Sequence, residues 1–81
     1  MTRATNITFT LLIKITNRLR EFNFRQRPDL NYDTDTNDER GNRYIFRMEK
    51  EEGAWKIKGQ HLPDWLLESE ALIHTALENH E

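Results

Sequence analysis

The sequence predicts an α+β fold, in which a single antiparallel β-meander of about five strands is followed by one C-terminal α-helix packed on one face. Three observations predict it: short segments alternate apolar and polar residues, residues typical of turns separate them, and the C-terminal segment repeats apolar residues at helical spacing. With 81 residues the chain has room for one domain, which we expect to span residues 1–81.

A first strand is predicted over residues 7–16, ITFTLLIKIT, because apolar positions alternate and most of its residues are β-branched or aromatic. Its return strand is predicted over residues 20–26, with Phe22 and Phe24 on one face. A helix is the alternative, since apolar residues also fall at spacings of three and four from Ile7 to Phe22. Threonine and isoleucine are unfavourable on a helix surface, which favours the hairpin but leaves both structures open.

Three further strands are predicted over residues 30–36, 43–50 and 54–59, and each alternates apolar and polar residues. A slip of one residue would turn every side chain to the opposite face, so the alternation limits the loop lengths. An even-length turn containing Gly53 therefore joins the last two strands, and an odd-length loop containing Gly41 precedes the fourth.

The C-terminal helix is predicted over residues 63–79, where Pro63 suits a first helical turn and Asp64 favours the positive end of the helix dipole. Its apolar stripe, which we expect to lie on the sheet, consists of Leu62, Trp65, Leu66, Ser69, Leu72, Ile73, Ala76 and Leu77. Its far face, expected in solvent, carries Glu68, Glu70, His74, Thr75 and Glu78.

The alternation divides the sheet into two faces. The face expected under the helix carries Phe9, Leu11, Ile13, Phe22, Phe24, Tyr32, Phe46, Met48, Trp55 and Ile57. The opposite face is basic, and its candidate interaction residues are Leu12, Lys14, Arg25, Ile45, Arg47, Lys56 and Lys58. Leu12 and Ile45 are apolar residues on this otherwise polar face, and they would mark a contact patch if the fold brought their strands together.

The charges are unevenly distributed along the chain. Residues 1–27 carry six Lys and Arg residues against the single acid Glu21, whereas the chain after Lys58 has five acids and no Lys or Arg. One interpretation is that a basic sheet and an acidic helix attract each other within the domain. The other is that a basic surface meets phosphate or an acidic partner.

The segment NYDTDTNDERGNRY begins like a calcium-binding loop, with Asp33, Asp35 and Asn37 at alternate positions. The sixth loop position is Asp38 where the turn requires glycine, and the twelfth is Tyr44 where a bidentate glutamate is required. We therefore expect an acidic strand that runs into a turn, and no metal site.

The sequence offers no constellation for catalysis or for binding a cofactor. Its only serine, Ser69, falls on the apolar stripe of the helix, and its isolated glycines do not form a phosphate-binding loop. His74 and Glu78 stand one helical turn apart, but zinc chemistry needs three protein ligands, so a solvated face is expected. We expect neither enzyme activity nor a cofactor.

The leading functional interpretation is a small non-enzymatic protein-interaction or self-associating domain that acts through its sheet surface, with an unknown protein partner or a homodimer. The edge strand AWKIKG is a second contact candidate, although its lysines disfavour pairing with another chain. The alternative is a weak nucleic-acid-binding module that uses the basic face.

Two features of the sequence bear on location. The apolar run FTLLIKIT is too short to span a bilayer, so no membrane partner is expected. The absence of cysteine fits a cytoplasmic location.

Overall fold

The sheet consists of five strands: β1 Thr8–Ile15, β2 Arg18–Gln26, β3 Tyr32–Asn37, β4 Arg43–Glu51 and β5 Ala54–Lys58. They lie side by side in chain order in a computed structural model that describes residues 7–80. Every neighbouring pair is antiparallel, so the predicted meander is confirmed, and residues 7–26 form a hairpin and not a helix. Arg3, part of the basic N-terminal region, lies outside the described residues.

Two tight turns close the first and last hairpins. Thr16 and Asn17 join β1 to β2 with φ values of 51° and 64°, and Glu52 and Gly53 join β4 to β5 with φ values of 52° and 84°. Two consecutive residues with positive φ form the turn whose twist matches that of the flanking strands. The loop between β3 and β4 contains Gly41 at φ 84°. Both glycines predicted for the turns therefore have the left-handed backbone conformation.

The C-terminal helical segment is divided into α1, Asp64–Leu67, and α2, Glu70–His80. The sequence predicts one continuous helix over residues 63–79, and the interruption corrects this prediction. The hydroxyl of Ser69 donates a 2.6 Å hydrogen bond to the carbonyl oxygen of Trp65, and the Ser69 N–H bonds three residues back instead of four. Such bonds tighten the turn and interrupt the regular i to i−4 pattern, which explains the break between α1 and α2 at this serine.

α2 runs across one face of the sheet from β5 to β1, where the ring of His80 stacks on that of Phe9 at 3.8 Å. We call the covered side the inner face and the opposite side the outer face. The buried core between sheet and helices consists of Ile13, Ile15, Phe22, Phe24, Tyr32, Phe46, Met48, Trp55, Leu66, Ile73 and Leu77. Leu72 is exposed although the predicted stripe includes it, because α2 buries the i, i+4 row through Ile73 and Leu77.

Arg20 is a charged residue of the inner face, and its side chain is 13% exposed. Its guanidinium carbon lies 4.2 Å from the centre of the Trp65 ring, and its Nη2 lies 3.4 Å from the carboxylate of Glu39. A cation over an indole face is attracted by the ring quadrupole. Arg20 thereby connects β2 with α1 and with the β3-β4 loop.

Candidate interaction surface

All seven candidate interaction residues lie on the outer face of the sheet. They are Leu12 and Lys14 on β1, Arg25 on β2, Ile45 and Arg47 on β4, and Lys56 and Lys58 on β5. The register aligns Arg25, Asp33, Arg47 and Lys58 in one row across four strands. The residues therefore share a face, but acids of β3 and β4 lie among them.

Leu12 and Ile45 are not brought together. β2 and β3 lie between their strands, which separates them by about 14 Å at the usual strand spacing. Ile45 shares its cross-strand row with Thr10 and not with Leu12. Their side chains are 63% and 66% exposed, and they do not form a common apolar patch.

Leu12 has a different apolar neighbour, Leu19. Leu12 lies opposite Glu21 and Lys14 lies opposite Leu19, so the two leucines are diagonal neighbours across the first hairpin. Leu19 is 67% exposed. The return strand is predicted to start at residue 20, whereas β2 starts at Arg18, so Leu19 is absent from the predicted surface. We call Leu12 and Leu19 the leucine pair.

Two basic residues of the outer face are engaged by carboxylates. Arg47 Nη2 lies 3.1 Å from Asp29, and its Nε lies 3.6 Å from Asp33. Lys58 Nζ lies 2.8 Å from Glu51, and this hydrogen bond raises the pKa of Lys58 above 10.5. Exposed ion pairs contribute little to stability, but they neutralise the surface that a phosphate backbone would need.

The remaining basic residues of the face differ in their partners. Lys56 Nζ lies 4.0 Å from Glu70 of α2. Lys14 and Arg25 have no ion pair with any residue in the range 7–80. The unneutralised positive charge of the predicted surface is thus confined to β1 and β2.

A shallow depression of about 390 Å³ lies on the outer face beside Ile45. Side chains of both charges line it, and one pair is in direct contact, with Arg43 Nε 2.9 Å from Asp35. This mixture does not resemble a site for a ligand of a single charge sign.

The segment NYDTDTNDERGNRY, which begins like a calcium-binding loop, forms strand β3 and the loop to β4. Asp38 accepts hydrogen bonds from the side-chain amide of Asn42 at 3.0 Å, from the backbone N–H groups of Asn42 and Arg40, and from the Tyr44 hydroxyl. These bonds, with the Asn42 side chain contributing most, lower the pKa of Asp38 from 3.8 to about 2 although burial opposes them. Within residues 7–80, no three His, Cys, Asp or Glu side chains are grouped to hold a metal ion.

The β5 edge of the sheet is closed by side chains of α2. The N–H groups of Trp55 and Ile57 point away from β4, because the intervening residues bond to that strand. Trp55 N–H donates to His74 Nδ1 at 3.0 Å, and Ile57 N–H donates to Glu70 Oε2 at 2.9 Å. These two donors are therefore satisfied within the chain, and AWKIKG is a poor template for another strand.

Glu70 and His74 are predicted to lie in solvent, and this prediction is wrong, because both side chains accept hydrogen bonds from the backbone of β5. Four residues along a helix rise about 6 Å, and two residues along a strand rise about 6.8 Å. Acceptors at i and i+4 of α2 therefore match donors at alternate residues of β5. The i, i+4 spacing of Glu70 and His74 is visible in the sequence, but the sequence does not show that β5 lies beside them.

The β1 edge of the sheet is open with respect to residues 7–80. Gln26 N–H donates to the carbonyl oxygen of Ile7 at 2.8 Å, so the odd-numbered residues of β1 bond to β2. The backbone groups that point away from β2 belong to Thr8, Thr10, Leu12 and Lys14. Nothing in the described part of the chain bonds to the N–H groups of these residues. Within residues 7–80, β1 thus presents an unpaired edge.

Apolar side chains flank this edge on both faces. Phe9 and Leu11 of the inner face are half-buried, in contrast to Ile13 and Ile15 further along β1. Leu12 is exposed on the outer face. An added strand would cover these side chains in addition to pairing with the backbone.

The part of the chain that the structure describes forms a small α+β domain with one closed and one open sheet edge. No model of a protein family matches the chain, and comparisons with curated proteins and with solved structures find no match either. None of the helices between residues 7 and 80 has the length and apolar character needed to cross a membrane.

Proposed function

We propose that this protein is a small non-enzymatic, self-associating interaction domain that contacts its partner through the β1 side of the sheet. By the β1 side we mean the open edge of β1 together with the leucine pair. The difference between the two sheet edges carries the proposal, because α2 caps the N–H groups of Trp55 and Ile57 while the outward N–H groups of β1 have no acceptor in the described chain.

An unpaired strand edge is a template for another chain, and proteins usually protect such edges with charges, prolines or bulges. β1 is eight residues long and contains no proline, and Lys14 is its only charged residue. Every residue of β1 pairs in register with β2, so no bulge interrupts it. This side of the sheet lacks the protection that α2 provides at β5.

The mass of the protein in solution tests this proposal. Light scattering from about 10 to 500 µM should show the weight-average mass rising from one chain towards two. Leu12→Lys should shift the mass back towards the monomer, because it replaces an apolar side chain that an added strand would cover.

Ile45→Lys is the matched control, since Ile45 is as exposed as the leucine pair but lies three strands from the β1 edge. It should leave the mass of the assembly unchanged. A wild-type protein that stays monomeric over the whole range, or a dimer that Ile45→Lys dissociates and Leu12→Lys does not, would contradict the proposal.

Nucleic-acid binding by the outer face has weaker support. Three of its five basic candidates, Arg47, Lys56 and Lys58, lie within 4.0 Å of carboxylates. The aromatic side chains Phe24, Tyr32 and Trp55, which would stack on bases, are buried under the helices.

A further inference from the structure

We infer that two copies of the chain pair β1 with β1 in antiparallel orientation about a twofold axis at Leu11, which joins the two five-stranded sheets into one. The inference rests on the proposed function, and it specifies the partner and the geometry of contact.

The register follows from the backbone. Only Thr8, Thr10, Leu12 and Lys14 direct their N–H and C=O groups away from β2. Placing Thr8 opposite Lys14 of the second copy, and Thr10 opposite Leu12, pairs all four residues in both chains. A shift by two residues in either direction pairs only three of them, and a shift by one would bring outer-face residues opposite inner-face residues. Each pair exchanges two hydrogen bonds.

This register covers the half-buried apolar residues of β1. On the inner face, Leu11 lies opposite Leu11 of the second copy, in a pair whose Cα atoms are about 4.5 Å apart. Phe9 lies opposite Ile13. The exposed Leu12 of the outer face lies opposite Thr10, so apolar area is buried on both faces of the joined sheet.

The register also separates like charges. Lys14 is the one charged residue of β1, and it lies at the end of the strand next to the turn. The two Lys14 residues of the dimer are six positions apart along the paired strands, or about 20 Å. Each faces Thr8, so the pairing brings no two lysines together.

The fold limits the assembly to two copies. A twofold contact uses the same edge of both chains, so the outer edges of the joined sheet are the two β5 strands. In each copy, Glu70 and His74 accept hydrogen bonds from the two N–H groups of β5 that point away from β4. The assembly is therefore closed and does not grow into a filament.

The expected affinity of the dimer is modest. Stable interfaces bury about 1,200 to 2,000 Å² in total, and pairing two eight-residue strands buries less than this. We therefore expect a dissociation constant on the order of tens of micromolar.

Cysteine cross-linking tests the register, and the chain has no cysteine of its own. In the proposed register, Thr8 and Lys14 of different copies have Cα atoms about 5.5 Å apart, within the range of a disulfide. Mixing Thr8→Cys with Lys14→Cys under mild oxidation should give the mixed disulfide. Neither variant alone should cross-link, because its two thiols would be about 20 Å apart. Leu11→Cys alone should give a symmetric disulfide.

A proline variant tests the backbone contribution. Thr10→Pro removes an N–H that points away from β2 and has no acceptor in residues 7–80, so the fold should persist while the dissociation constant rises by about tenfold or more. Thr10→Val is the control: it removes the hydroxyl that donates to Asn23 at 2.7 Å but keeps the N–H, and it should still dimerise. Circular dichroism verifies the fold of each variant.

The outcomes separate the inference from the proposed function. A dimeric mass with the mixed disulfide and with dissociation by Thr10→Pro supports both. A dimer without the mixed disulfide, or one in which Thr8→Cys cross-links to itself, or one that survives Thr10→Pro, overturns the strand pairing and leaves the interaction domain standing. A monomer at every concentration overturns both.

Discussion

His74 Nδ1 accepts a hydrogen bond from the backbone N–H of Trp55 at 3.0 Å, so a helix side chain occupies the place that a sixth strand would take. One helical turn earlier, Glu70 does the same for Ile57. Within the described residues, the sheet is therefore protected at one edge by its own helix and open at the other. This asymmetry underlies the proposed function and the first two predictions.

Replacing His74 by alanine should destabilise the fold, because the half-buried N–H of Trp55 loses its acceptor. We expect the free energy of unfolding to fall by about 1 to 2 kcal/mol in urea titration. Thr75→Ala, at an exposed neighbouring position, is the control and should change it by less than about 0.5 kcal/mol. Equal losses of unfolding free energy in His74→Ala and Thr75→Ala would show that the hydrogen bond of the imidazole does not stabilise the fold.

Two substitutions of Glu70 separate its hydrogen bond from its charge. Glu70→Gln keeps an oxygen that accepts from the N–H of Ile57 and loses only the exposed ion pair with Lys56 at 4.0 Å, so it should cost less than about 0.5 kcal/mol. Glu70→Ala loses the acceptor and should cost about 1 kcal/mol or more. If both variants lose the same stability in denaturant titration, the charge is the contribution that matters.

Thr16→Asn should stabilise the protein. Thr16 has φ 51° in the first turn, a conformation that a β-branched residue adopts at a cost and that asparagine tolerates. We expect a gain of about 0.5 to 1 kcal/mol and a higher midpoint of thermal unfolding. The reciprocal variant Asn17→Thr, at φ 64°, should lower the midpoint. A neutral or lower midpoint in Thr16→Asn would argue against strain at this turn.

Asp38 should make stability depend on pH in the acid range. Its pKa in the folded protein is about 2, below the ordinary value of 3.8, so the stability it contributes is complete above pH 3.8 and is lost as pH falls towards 2. In Asp38→Asn this contribution is absent, and the midpoint of thermal unfolding should fall less steeply between these pH values. An unchanged slope in the variant would exclude Asp38 as a source of acid sensitivity.

Electrophoretic mobility shift should show no retardation of single- or double-stranded nucleic acid, even at low salt, because carboxylates engage Arg47, Lys56 and Lys58. Retardation at low salt that disappears at high salt would instead support the basic-face alternative. Lys14→Glu combined with Arg25→Glu would then identify the surface, since these two cations have no ion pair within residues 7–80.

The meander is predictable from the sequence because a period of two is imposed on each strand by a sheet with one covered face. The buried Phe22, Phe24 and Met48 are correctly assigned for this reason. Leu19 is missed because the first turn consists of Thr16 and Asn17, without the glycine that usually marks such turns, and the return strand therefore starts earlier than expected.

The features of the surface that depend on tertiary contacts are not predictable from spacing alone. Ser69 suits a buried helix position, but its bond to the Trp65 carbonyl becomes apparent only once the helix lies on the sheet. Glu70 and His74 have the composition of a solvated face, and only the position of β5 beside α2 gives them backbone donors. The separation of Leu12 from Ile45 likewise follows from strand order, which alternation does not specify.

The position of α2 after all five strands has a consequence for synthesis on the ribosome. Each strand finds its partner in the segment made just before or after it, so the hairpins form as the chain emerges. Until Glu70 and His74 have left the exit tunnel, however, the nascent chain exposes both sheet edges. This interval is the period in which neighbouring nascent chains on one messenger are most exposed to mispairing.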